Sequence, residues 1–236
     1  RRCGAFADDV GQGRDESVLP DAIAEIVPEG DAQLIAGLLQ AGEAVAAVST
    51  QLAAGAAADL APFHIAADVV FAAVLGNIYK PTEERGIYKS TDGGANWRKV
   101  LFANEQAGAV DLALDPTNPR ILYATTWRIR RTPYSLESGG EGSAIWKSTD
   151  SGDSWTRISE NEGMPEPPLG IAGITVSPSN PDNLYAIVEA AEGGVFRSRD
   201  TSEARTSMNA ERKHRPRTPY YARINADPLD EDVVYV

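Results

Sequence analysis

The sequence predicts an all-β fold, an incomplete β-propeller of four-stranded antiparallel blades, preceded by an Ala-rich segment that is helical or disordered. Three observations carry that expectation. The string YKSTDGGANW (Tyr88–Trp97) returns as WKSTDSGDSW (Trp146–Trp155). A second string, GAVDLALDPTNPRILYAT (108–125), is echoed by AGITVSPSNPDNLYAIV (172–188) and by ARINADPLDEDVVYV (222–236). Equivalent positions lie 62 residues apart from Asp111 to Gly173 and 50 apart from Gly173 to Arg223. A period of that size with several short strands per unit is the signature of propeller blades.

Within one unit the strands are expected at Asp111–Leu114, Ile121–Thr125, Ala144–Ser148 and Ser154–Ile158. Short Val, Ile, Tyr and Trp runs bounded by Gly, Pro, Asn and Asp read as strands and tight turns. A Pro-Asn turn joins the first two strands, a variable loop follows, and the Ser-x-Asp-x-Gly string joins the last two. ADVVFAAVLG (67–76) reads as the end of an earlier copy whose turn is missing or altered. The expected blades are therefore 64–106, 107–160 and 170–208, with the start of another at 220–236.

The repeated string has a structural task at each position. Asp92 and Asp150 can accept hydrogen bonds from the backbone that follows them. Gly94 and Gly152 supply a positive φ. Trp97 and Trp155 enter the fourth strand and bury a ring between sheets. Ser90 and Ser148 open the two strings. The third copy, RDTSEAR (199–205), keeps Asp200 but lacks the glycines and the tryptophan, and is expected to be the softest turn. An EF-hand would need more oxygen ligands and a terminal Glu.

Residues 1–63 differ in texture. They contain no Lys, Trp, Tyr, Asn or His and hold ten acidic against three basic residues, −7 of the net charge of −12. Ala, Leu, Gln and Glu between Asp31 and Leu60 favour helix, while Gly37, Gly42 and Gly55 weaken it. No function is assigned to this extension.

Composition narrows the function classes. A net charge of −12 argues against nucleic acid as a partner. One cysteine (Cys3) and two histidines (His64, His214) give no basis for a disulfide framework or a metal centre. No apolar run of about eighteen residues spans a membrane. No P-loop, dinucleotide-binding glycine pattern or nucleophile elbow suggests a cofactor. The chain opens on arginine without a signal peptide, and is expected to be an internal piece of a longer protein.

The Ser-x-Asp-x-Gly-x-polar-Trp string resembles the Asp-box, or bacterial neuraminidase repeat, found in propellers of sialidases, some endoglucanases and sortilin-type receptors. Residues 66–236 resemble most the large bacterial proteins with sortilin-like N-terminal repeats, which carry a predicted glycosyl-hydrolase label. The resemblance implies a secreted, periplasmic or cell-surface location. It does not choose between enzyme and binding protein, because the box recurs in both.

Topology says where a site belongs. The short turns between strands 1 and 2 and strands 3 and 4 share one face of the disc. The longer loops share the other: 76–86, 127–143, 160–170 and 209–223. Binding concentrates in such loops. Two are basic and aromatic, one with Arg128, Arg130, Arg131 and Tyr134, the other with Arg212, Lys213, Arg215, Arg217, Tyr220 and Tyr221. Arginine forks suit carboxylate or sulfate, and rings stack on sugars or hold peptide side chains. The expected partner is a glycan or a protein or peptide, in some cases anionic, besides the remaining blades of the parent ring. These arginines can instead pair with Glu83, Glu84, Glu137 and Glu141. Asp111 and Arg223 fall at equivalent positions on the innermost strands, where they could touch a ligand or join two blades. A glycosidase needs two carboxylates about 5–10 Å apart; Asp111, Glu137 and Glu141 are the candidates for that chemistry, with Glu83, Glu84 and Glu166 behind them.

Overall fold

The computed structural model describes residues 45–51, 69–199, 206–209 and 222–236. Every regular element among them is a strand. The first four-stranded antiparallel sheet runs β1 (Val45–Gln51), β2 (Val69–Val74), β3 (Gly86–Ser90) and β4 (Arg98–Leu101) in spatial order. The second contains β5 (Ala107–Leu114), β6 (Leu122–Arg131), β8 (Ala144–Ser148) and β9 (Thr156–Arg157), with β7 (Leu136–Ser138) paired to the far end of β6. The third is β10 (Ala172–Val176), β11 (Leu184–Val188), β12 (Gly194–Ser198) and β13 (Thr206–Asn209). A last hairpin, β14 (Asn225–Ala226) with β15 (Val234–Tyr235), opens a fourth unit.

Sequence order equals spatial order in each sheet, apart from the β7 insertion, which is the up-and-down pattern of a blade. The apolar residues do not form a core within a sheet. They form layers between sheets. Phe71, Ala73, Ile87 and Leu101 of the first blade meet Ala109, Leu112, Leu122 and Ala124 of the second. Tyr123, Ile145 and Ile158 of the second meet Ala172, Ile174, Val176 and Phe196 of the third. Tyr185, Ile187 and Val195 meet Ala222 and Ile224. Close approach of neighbouring blades demands glycine on the innermost strands: a Cβ on Gly108 would run into the backbone oxygen of Leu75, and one on Gly173 into that of Ala222.

The turns between strands 1 and 2 are built three times alike. Asp115, Ser177 and Asp227 donate their N–H to the carbonyls of Ile121, Asn183 and Val233, at 3.1, 3.0 and 2.9 Å. Asp115 Oδ1 also accepts from the N–H groups of Thr117 and Asn118, at 2.8 and 3.0 Å. Asp227 Oδ1 does the same for Leu229 and Asp230. These are Asx-type turns, encoded by local side-chain bonding.

Two differences from the sequence expectation stand out. Val45–Gln51, inside the extension expected to be helical or disordered, is a strand paired along β2 from Val45↔Val74 to Gln51↔Val69. Val45, Val48 and Thr50 favour extended backbone, and the unpaired inner edge of β2 offers a ladder that outweighs the helix preference of the alanines. The first blade therefore begins before residue 64; residues 1–44 and 52–63 of the extension lie outside the described residues. The loop 127–143 is also partly regular: β6 runs on to Arg131 and turns back as β7, with Arg130 opposite Glu137.

Candidate functional site on the loop face

The face carrying the repeated strings is closed on itself. Ser90 Oγ donates to Asp92 Oδ1 at 2.7 Å and accepts from the Gly94 N–H at 2.8 Å. Asp92 in turn accepts from the backbone and side-chain nitrogens of Asn96, at 2.8 and 2.7 Å. Ser148, Asp150, Gly152 and Ser154 repeat the arrangement, with Ser148 Oγ at 2.8 Å from both Asp150 Oδ1 and the Gly152 nitrogen. Gly94 and Gly152 have φ of 92° and 80°, as expected. Hydrogen bonds from Asn96, then from Ser90, hold the Asp92 carboxyl down at about 2, and Ser154 and Ser148 hold Asp150 lower still. The tryptophans differ from expectation. Both are only half-buried and fold back over their own turns, Trp97 Nε1 donating to Gly94 O at 2.7 Å and Trp155 Nε1 to Gly152 O at 3.2 Å. Trp155 alone of the two packs on the layer between the first and second blades. Asp200 lies outside the described residues.

On the opposite face, among the described residues, the β6–β7 hairpin extends the second blade. Tyr134 at its tip is 97 % exposed. Thr132 closes the tip, its Oγ1 accepting from the Ser135 N–H at 2.9 Å. Arg130 is exposed on the hairpin, whereas Arg128 is committed: its guanidinium pairs with Glu137 at 2.8 Å and reaches Gln106 Oε1 at 3.3 Å. Arg131 is half-buried, and its N–H donates to Ile78 O at 2.8 Å. Glu141 is exposed, with its carbonyl bonded by Asn104 Nδ2 at 3.2 Å. Arg215, Arg217, Tyr220 and Tyr221 lie outside the described residues.

The Arg131–Ile78 bond brings the hairpin against the loop 76–86 of the first blade, which exposes Tyr79 at 64 %. Arg85 holds that loop from beneath. It is fully buried and donates to the carbonyls of Gln106 (3.0 Å), Asn77 and Lys80, and its burial lowers the guanidinium pKa. A side chain on Gly76, whose φ is 70°, would strike the Arg85 stem at 2.7 Å, so glycine makes room for the arginine. Sequence reading missed Arg85 because nothing in its spacing distinguishes a buried arginine from the exposed ones around it.

Along the ring axis, Asp111 is half-buried. Its Oδ1 accepts from the Leu112 N–H and its Oδ2 from the Ile174 N–H of the next blade, both at 3.0 Å. Burial pushes its carboxyl above the ordinary range, against those bonds and the charge of Arg223. Asp111, Thr175, Arg223 and Asn225 line a cavity of about 470 Å³ between β5, β10 and the start of the fourth unit. Arg223 itself is exposed.

Among solved structures the chain resembles the GH74 xyloglucanase from Xanthomonas campestris, with a TM-score of 0.56 and 20 % identity over 80 % of this chain and 26 % of that one. The fold is that of a β-propeller. The chain spans about a quarter of the xyloglucanase's length. A GH74 enzyme of Niastella koreensis is also similar, at 22 % identity and a TM-score of 0.43 over 61 % of this chain and 20 % of that one. YCF48, solved with a D1 peptide, covers 58 % of this chain and 36 % of its own at 15 % identity and a TM-score of 0.31. No family model matches the chain, nor does any curated protein. Among the described residues no helix is long and apolar enough to cross a membrane.

Proposed function

We propose that this propeller is a glycan-binding module of a secreted, periplasmic or cell-surface protein, and that the face bearing the 2–3 and 4–1 loops is its binding surface. The observation that carries the reading is the juxtaposition of two exposed tyrosines on adjacent, well-anchored loops: Tyr134 at the hairpin tip and Tyr79 on the loop bonded to β6 of the hairpin. Tyrosine rings give rigid, amphipathic contact area to sugar faces, and exposed Arg130 adds a fork for hydroxyl or carboxylate groups. The turn face, by contrast, spends its polar groups on its own backbone. Likeness to a xyloglucanase makes xyloglucan the first ligand to try. The test is affinity electrophoresis and calorimetry with soluble xyloglucan and with acidic polysaccharides: Tyr134→Ala and Tyr79→Ala each weaken binding by about 1–2 kcal/mol, in line with loss of a stacking ring. Binding unchanged in both variants removes this face from consideration.

A second reading is a glycoside hydrolase, favoured by one observation, the raised carboxyl of Asp111 beside the axial cavity. A carboxyl with a raised pKa suits a general acid. Release of reducing ends that vanishes in Asp111→Asn supports it; no release from any polysaccharide leaves the binding module.

A further inference from the structure

The hairpin that presents Tyr134 belongs to the second blade, yet its base is fixed by a residue of the third. Glu189 follows directly after β11. Its Oε2 accepts two bonds at once, from Ser138 Oγ on β7 at 2.5 Å and from the Ile171 N–H at 3.0 Å. Ser138 Oγ receives the indole N–H of Trp127 on β6 at 2.9 Å. One carboxylate oxygen therefore ties both strands of the hairpin to the connection between the second and third blades. The backbone of Glu189 completes the joint: its N–H donates to Ile171 O at 2.9 Å, and its carbonyl accepts from the Gly170 N–H at 2.7 Å. The glycines around it leave the space. A Cβ on Gly170 would run into the Glu189 carboxylate, and one on Gly139 would lie 2.8 Å from Leu169 O. Beneath the joint, Trp127, Ile129 and Val110 pack with Ile171 from one side and with Leu75 and Ile78 from the other.

We infer that Glu189 is a positioning residue for the binding face, setting the stance of the β6–β7 hairpin and hence the direction in which Tyr134 and Arg130 meet a ligand. The inference rests on the binding reading above for its consequence, but its geometry is independent of it. An exposed hairpin held by its apolar base and by the backbone bonds from Arg131 to Ile78 O and from Gly140 to Leu169 O can still rock. A carboxylate fixed on the next blade and accepting from both hairpin strands through Ser138 removes that freedom, as supporting hydrogen bonds do for binding groups elsewhere. Nothing in the sequence repeat predicts it, because the corresponding position of the second blade is Trp127, within β6, and the side-chain partner Ser138 lies 51 residues upstream.

Three variants of the whole chain test it: Glu189→Ala, Glu189→Gln and, as a control, Glu192→Ala on the exposed part of the same loop. Two measurements are made on each, the dissociation constant for soluble xyloglucan and the hydrogen-exchange rate of the Trp127 indole N–H by NMR. Glu189→Ala is expected to weaken binding roughly ten- to a hundredfold and to speed indole exchange by a similar factor. Glu189→Gln, whose amide oxygen can accept the same two bonds, stays close to wild type, as does Glu192→Ala. If the wild type binds xyloglucan and Glu189→Ala binds it equally well, the inference is overturned. If the wild type binds no sugar, the glycan reading fails on its own, and the Trp127 exchange rate decides the positioning role: faster exchange in Glu189→Ala but not in Glu189→Gln upholds it, and equal rates overturn it.

Discussion

Asp92 and Asp150 have their carboxylate oxygens taken up chiefly by the serine two residues before and the residue four after. Such a group resists protonation, since each bond is made to the charged form. Its folded-state pKa lies below the unfolded value, so its contribution is complete above about pH 4 and is lost as the pH falls toward 2. A carboxyl-detected NMR titration should place the Asp92 midpoint near 2, and a midpoint near 4 would show the string to be open in solution. This part of the molecule was legible in the sequence because every bond is local: donor and acceptor are within four residues, and the spacing Ser-x-Asp-x-Gly states the bonding. Asp111 was only half legible. Its place on the innermost strand followed from aligning the repeats, but its acceptor role toward Ile174 belongs to another blade, and sequence alone does not bring those two together.

Strand by strand, a second regularity emerges that the repeat strings contain but do not announce. The residue before the serine of each string is basic, and it lies directly opposite an aromatic on strand 2: Lys89 opposite Phe71, Lys147 opposite Tyr123, Arg197 opposite Tyr185. Each cation sits over its ring, at 5.7, 5.7 and 5.4 Å from the centroid. Among the described contacts, Lys89 reaches Ser151 O (2.7 Å) and Asp153 (2.9 Å) of the following blade, and Arg197 reaches Asp232. Lys89 is 7 % exposed, while Arg98, which also touches Asp153, is 57 % exposed. Lys89→Met should therefore cost about 1–3 kcal/mol in chemical denaturation, and Arg98→Met less than about 1 kcal/mol. Equal losses would mean that the buried lysine contributes nothing beyond its stem. At this scale the sequence also misled. The segment that holds β1 reads as helical or disordered because its alanines carry no sign that β2 has a free edge, and β7 reads as loop because an insertion lies outside the repeat that identifies the other strands.

For the molecule as a whole, the layers between sheets make each blade dependent on its neighbours, as in other repeat architectures. β1 completes the first blade and lies against β5 of the second. A chain beginning at residue 52 would uncover the inner edge of β2, and an uncovered edge invites pairing with another chain. Light scattering should show that shortened chain self-associating at concentrations where the longer one stays monodisperse; identical behaviour would assign β1 a dispensable role.

The location of the apolar layers also governs how such a ring can change over time. Each layer is a junction made of strands 2 to 4 of one blade and strands 1 to 3 of the next. A gene rearrangement that copies one blade border to border thus carries the leading half of one junction and the trailing half of another. The copy fits only where its new neighbours present surfaces cut to the same shape. Variation in ring size is then favoured among blades that still resemble one another, and is suppressed once neighbouring junctions have diverged.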